Sequence, residues 1–84
     1  MTERLTVFVR SGCHLCEQML QELQRLRSED ALGRDFQLEV VDILGSESLE
    51  AEYGTRIPVL SGERGEICYY FLDETALRQY FGLV

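Results

Sequence analysis

Leu5-Thr6-Val7-Phe8-Val9-Arg10-Ser11-Gly12-Cys13-His14-Leu15-Cys16 carries a short apolar run, a polar break containing a glycine, and then two thiols three positions apart. Residues 5–9 are rich in β-branched and aromatic side chains, the composition of a short buried strand. From Cys13 to about Arg27, Leu15, Met19, Leu23 and Leu26 recur at helical spacing with Cys16 and Leu20 beside them, while Glu17, Gln21, Glu22 and Gln24 fill the other side. The stretch therefore reads as a strand running into an amphipathic helix whose apolar stripe is core, with Cys13 where the helix starts. A helix N-terminus presents unpaired N–H groups and the positive end of the macrodipole, so a thiolate there is favoured over the thiol. The thiolate is the nucleophile, and a second sulfur at i+3 lies one turn along on the same face, near enough to close a small disulfide ring. Cys13 and Cys16 are thus a candidate two-electron switch.

Downstream, residues 36–43 (Phe36-Gln37-Leu38-Glu39-Val40-Val41-Asp42-Ile43) alternate and then turn fully apolar, which predicts a second strand. Residues 46–53 read as a short helix with Ser46 as its cap and Gly54 ending it. Residues 58–61 and 66–71 flank Ser61-Gly62-Glu63-Arg64-Gly65, whose glycines and polar residues mark a hairpin. Tyr69, Tyr70 and Phe71 should alternate across the second of these strands, with at least one facing outward or toward the last helix. Asp73 caps that helix, residues 74–81, with Ala76, Leu77, Tyr80 and Phe81 at helical spacing. The order is βαβ-α-ββα. A helix crossing between the first two strands makes them parallel, and a tight turn makes the last two antiparallel. An α/β fold follows, a four-stranded mixed sheet flanked by three helices, forming a single domain over residues 1–84.

Eighty-four residues hold one small core and leave no surface for a second. The net charge of −7 and the scatter of the eight arginines exclude a basic phosphate-binding face, so no nucleic-acid role is expected. Lysine is absent, which removes a Schiff-base amine. No apolar run approaches the roughly 20 residues of a membrane span, and Met1-Thr2-Glu3-Arg4 lacks the layout of a signal peptide. A cytoplasmic protein is expected, in which structural disulfides are kept reduced. That setting favours a catalytic or metal-binding use of Cys13 and Cys16 over a structural staple. A closed metal site takes about four ligands, and only Cys68 and His14 remain, with His14 pointing off the face of the pair; redox chemistry is the favoured use.

Tyr53-Gly54-Thr55-Arg56-Ile57-Pro58-Val59-Leu60 adds a proline at the start of the third strand, where it is tolerated. Together, the cysteine pair after the first strand and Ile57-Pro58-Val59 opening the third resemble the thioredoxin superfamily, and the short length resembles a glutaredoxin. The resemblance covers nearly the whole chain. It implies that Pro58 has a cis peptide bond and lies against the cysteines, and that the Ile57 backbone pairs with a substrate's extended peptide. It makes Cys13 the exposed attacking cysteine and Cys16 the buried resolving one. It sets Arg10 where glutaredoxins often carry a lysine that favours the thiolate and receives a glutathione carboxylate, with Arg56 as a second anion contact. Asp73-Glu74 falls near the Gly-Gly-x-Asp segment that holds the γ-glutamyl end of glutathione. Two departures stand out: Phe71-Leu72-Asp73-Glu74 has no glycine pair, and His14-Leu15 replaces the usual Pro-Tyr between the cysteines.

The function implied is a thiol–disulfide oxidoreductase that acts on disulfide-containing proteins or glutathione mixed disulfides. No cofactor would be tightly bound, glutathione or another dithiol protein would be the reductant, and the protein would act as a monomer. His14, if protonated, would stabilise the Cys13 thiolate, or else be an exposed spectator at the helix start. Cys68, in an aromatic strand, is expected to be buried and inert. The alternative from another class is a non-catalytic binding module that holds a partner protein, or a glutathione-linked iron–sulfur cluster shared between two chains.

Overall fold

The computed structural model describes residues 3–83; Met1 and Thr2, part of the N-terminal segment read above, and Val84 lie outside it. Its elements are β1 (Glu3–Val9), α1 (His14–Ser28), β2 (Phe36–Asp42), α2 (Glu47–Tyr53), β3 (Val59–Gly62), β4 (Gly65–Tyr69) and α3 (Glu74–Tyr80). The four strands form one sheet in the order β2-β1-β3-β4, with β1 parallel to β2 and antiparallel to β3, and β3 antiparallel to β4. This is the mixed sheet with three helices that the local signals predicted.

Alternation along β1 decides which side of the sheet is core. Leu5, Val7 and Val9 are buried on one face. Against them gather Cys16, Met19, Leu23 and Leu26 of α1, Leu77 of α3 and the adjoining Phe81. Phe8, on the opposite face of the strand, stacks on Tyr53 of α2 with ring centroids 4.1 Å apart. Fully burying side chains of this size contributes about 1.5–3 kcal/mol each, so the Cys16 helix is held by its own apolar face.

The helix caps fall where expected. Ser46 accepts the Leu49 N–H, and Asp73 accepts the Ala76 N–H at 3.0 Å. Strand ends differ by a residue or two. β3 begins at Val59 because Pro58 has no N–H to give the ladder. β4 carries one extra residue, since Leu60 pairs with Cys68 while Ser61 pairs with Glu66, leaving Ile67 as a bulge. It also ends sooner than predicted. Tyr70 takes φ of 66°, which turns the chain out of the sheet, so Tyr69, Tyr70 and Phe71 do not alternate and are all exposed. A second correction concerns α1. Its buried stripe begins at Cys16 and not Leu15, because one residue rotates the side chain by about 100° and leaves Leu15 half-buried at the stripe's edge.

Candidate functional site

Cys13 is the N-cap of α1. Its backbone is extended, and its sulfur accepts the Cys16 N–H at 3.2 Å, the bond a capping side-chain oxygen would accept. Gly12 just before it has φ of 81°, a conformation open to glycine, and the Cys13 N–H closes the turn onto the Arg10 carbonyl at 3.1 Å. The 15-residue helix behind Cys13 aligns its dipole so that the positive end lies at this sulfur. Cys13 and Cys16 are joined as a disulfide, with Cα atoms 5.2 Å apart. Cys13 is partly exposed and Cys16 is 3% exposed in the core, so an incoming group can reach only the first sulfur.

A cleft of about 300 Å³ opens at Cys13, lined by Arg10, Ser11 and Gly12 from the loop after β1 and by Gly54, Thr55 and Ile57 from the segment after α2. Ile57-Pro58 is a cis peptide bond, and both residues are buried where β3 begins. The structure thus brings Cys13, Arg10 and Ile57 to one cleft. Arg10 arrives with its charge engaged, as its guanidinium donates to both carboxylate oxygens of Glu50 on α2, each at 3.0 Å. Ser11 donates to Asp42 at 2.7 Å and the Leu44 N–H donates to the same carboxylate at 2.9 Å. These bonds, Ser11's first, hold the Asp42 carboxyl below its ordinary range and pin the cysteine loop to the end of β2.

Other sequence-predicted residues lie elsewhere. Arg56 is not in the cleft lining; it turns to β4, pairs with Glu66, donates to the Glu52 carbonyl at 2.8 Å and packs over Tyr53 and Tyr69. Its ion pair with Glu66 raises its pKa further. His14 projects into solvent, its side chain 83% exposed, with Nδ1 4.0 Å from Glu17. The Asp73 carboxylate is spent on capping α3. Cys68 is partly buried, and desolvation pushes its thiol up, consistent with an unreactive side chain. Glu50, Ser11, Gly54 and Thr55 were not among the site residues expected from the sequence. The segment Tyr53-Gly54-Thr55 adjoins Arg56-Ile57-Pro58 and could have been found by proximity, whereas the Glu50 to Arg10 pairing spans 40 positions and has no local signal.

Among the described residues there is no group of three or more His, Cys, Asp or Glu side chains placed to hold a metal, and no helix long and apolar enough to cross a membrane.

The sequence profile of the Glutaredoxin-like domain (DUF836) matches residues 4–82. A Mycobacterium tuberculosis protein, Rv0508, is 35% identical over 78 residues, covering 89% of this chain and 78% of its own length. The solution structure of protein Ne2328 from Nitrosomonas europaea superposes with a TM-score of 0.82 at 39% identity, over 95% of this chain and 92% of that one. Thioredoxin 1 from Thermosipho africanus, 18% identical, shares the fold with a TM-score of 0.57 over 95% of this chain and 93% of its own.

Proposed function

Because the chain belongs to the glutaredoxin-like domain family of the thioredoxin superfamily, we propose that it is a cytosolic thiol–disulfide oxidoreductase in which Cys13 and Cys16 are the working dithiol. The observation that carries this reading is the asymmetry of the pair. One sulfur sits at the helix N-terminus facing the cleft, and the other is buried directly behind it, within bonding reach.

The reaction follows from that asymmetry. The Cys13 thiolate attacks one sulfur of a substrate disulfide; a Cys13–substrate S–S bond forms as the substrate's own S–S bond breaks, and the departing thiolate takes a proton from water. Cys16, deprotonated, then attacks the Cys13 sulfur, which releases the second substrate thiol and leaves the Cys13–Cys16 disulfide. Two electrons have passed to the substrate. Two molecules of glutathione, leaving as glutathione disulfide, or one dithiol protein, return them. Ile57, beside the cleft, would align the substrate backbone, and Arg10 would contribute a cation already shared with Glu50.

Titration against glutathione redox buffers, with free thiols trapped and the protein weighed by mass spectrometry, tests the proposal. A reversible Cys13–Cys16 disulfide with a midpoint between about −270 and −120 mV supports it. Cys13→Ser should abolish turnover, and Cys16→Ser should accumulate mixed disulfides on Cys13. If the two thiols never pair within the chain, the dithiol mechanism fails and a ligand-holding role takes its place.

A further inference from the structure

A second, smaller recess begins at Leu15, which lies between the two cysteines in sequence. It measures about 90 Å³ and opens between α1 and the segment after β4, with Leu15, Met19 and Glu22 on the helix and Tyr70 and Phe71 opposite. Leu15, between the cysteines, is half-buried at the edge of the core stripe and contributes to this recess. Tyr70 ties the recess to the cleft at Cys13: its hydroxyl donates to the Thr55 carbonyl at 2.6 Å, and its N–H donates to the Pro58 carbonyl at 2.8 Å. These two bonds hold a bulky residue in the left-handed region, a conformation that costs roughly 1–2 kcal/mol outside glycine. The result is display, not burial. Tyr69, Tyr70 and Phe71 are 47%, 40% and 65% exposed in three successive positions, and the last two line the recess.

Among the described residues, the one charged side chain lining the recess, Glu22, is an acid. Arg10, in the cleft, is closed onto Glu50, and Arg56, outside the cleft lining, onto Glu66, so each is paired with a carboxylate of the same chain. Glu22 is exposed, and the whole chain carries −7. Neither Arg10 nor Arg56 offers an anionic tripeptide with two carboxylates an unshared cation. An extended polypeptide with an apolar side chain and a basic one beside its disulfide meets an aromatic floor and an acidic rim.

We propose that Leu15, Tyr70 and Phe71, with Glu22 at the rim, are the docking surface for the client. Its substrate class is the protein disulfide flanked by apolar and basic residues, preferred over the mixed disulfide of glutathione. This rests on the oxidoreductase reading of Cys13 and adds its specificity.

The test uses three chromogenic mixed disulfides of thionitrobenzoate: with a blocked Gly-Leu-Cys-Arg-Gly peptide, with a blocked Gly-Gly-Cys-Glu-Gly peptide, and with glutathione. Second-order rates of thionitrobenzoate release by the reduced protein are compared. The Leu/Arg peptide should react about tenfold faster than either of the others, equivalent to about 1.4 kcal/mol, and the advantage should shrink in high salt. Phe71→Ser, at an exposed position, should bring the ratio of Leu/Arg peptide to glutathione rates toward one, and Glu22→Lys should lower the ratio of Leu/Arg to Glu peptide. Equal rates for the three probes in the native protein, or ratios unchanged in both variants, would overturn the docking surface while leaving the redox reading standing. Absence of reaction with all three probes would overturn the redox reading, and the docking surface with it.

Discussion

Gly62 on β3 pairs with Leu5 of β1 and Gly65 of β4, and Gly62→Ala offers a sharp test of how α3 locks the sheet that carries the site. A Cβ at this position would lie 2.9 Å from Cε1 of Tyr80, with Cζ and the hydroxyl closer still. The ring has little freedom to yield. Its hydroxyl donates to Glu3 at 2.9 Å and accepts the Arg64 N–H at 3.1 Å, while the Arg64 guanidinium lies 4.2 Å from the ring centroid and donates to the Tyr80 carbonyl. Overpacking of this kind costs about 1–3 kcal/mol, and replacing glycine by alanine within a regular element returns about 0.5–1 kcal/mol. The net expectation is a loss centred on about 1.3 kcal/mol, which for a domain of this size lowers Tm by roughly 5–10 °C. Urea denaturation of Gly62→Ala, Tyr80→Leu and the double variant measures it. With the ring gone, Gly62→Ala should turn neutral or stabilising, so the two changes should couple by more than about 1 kcal/mol. A single variant as stable as the native protein, or additive energies in the cycle, would refute the reasoning.

Three further outcomes are expected. Asp42, held below its ordinary range by Ser11 and Leu44, is deprotonated more readily in the folded state than in the unfolded one. The stability it contributes is therefore present above about pH 3.9 and lost as pH falls through the lower folded value; Asp42→Asn should flatten the acid limb of a urea-midpoint profile there, and overlaying limbs would contradict this. Cys68, its thiol pushed up by desolvation, should resist iodoacetamide at neutral pH in the reduced protein while Cys13 is labelled first, so rapid labelling that maps to Cys68 would count against it. Asp73→Ala removes the acceptor for the Ala76 N–H and should cost about 0.5–2 kcal/mol, read as a lower urea midpoint; an unchanged midpoint would show that the cap is dispensable.

The features legible in the chain are those written within a few residues of one another. Period-two and period-three-to-four patterns placed the seven elements, Ser46 and Asp73 marked their helix starts, and the spacing of Cys13 and Cys16 at a strand-to-helix junction marked the candidate site. Strand direction followed from connection length. All of these depend on local backbone preference and on side chains one turn or one pleat apart, which a linear reading can inspect.

Tertiary structure alone decided the electrostatics and the edges of the site. Arg10 and Arg56 look equally available as anion contacts in the sequence, yet folding closes one onto Glu50, 40 positions away, and the other onto Glu66 across the β3 to β4 edge. Tyr70 sits in a run that reads as strand, and its turn out of the sheet is held by acceptors at Thr55 and Pro58 that only the assembled fold supplies. Long charged side chains and bulky aromatics settle their partners after the backbone has brought distant segments together, so the composition of a site can be read along the chain while its free charges and exposed faces are determined in space.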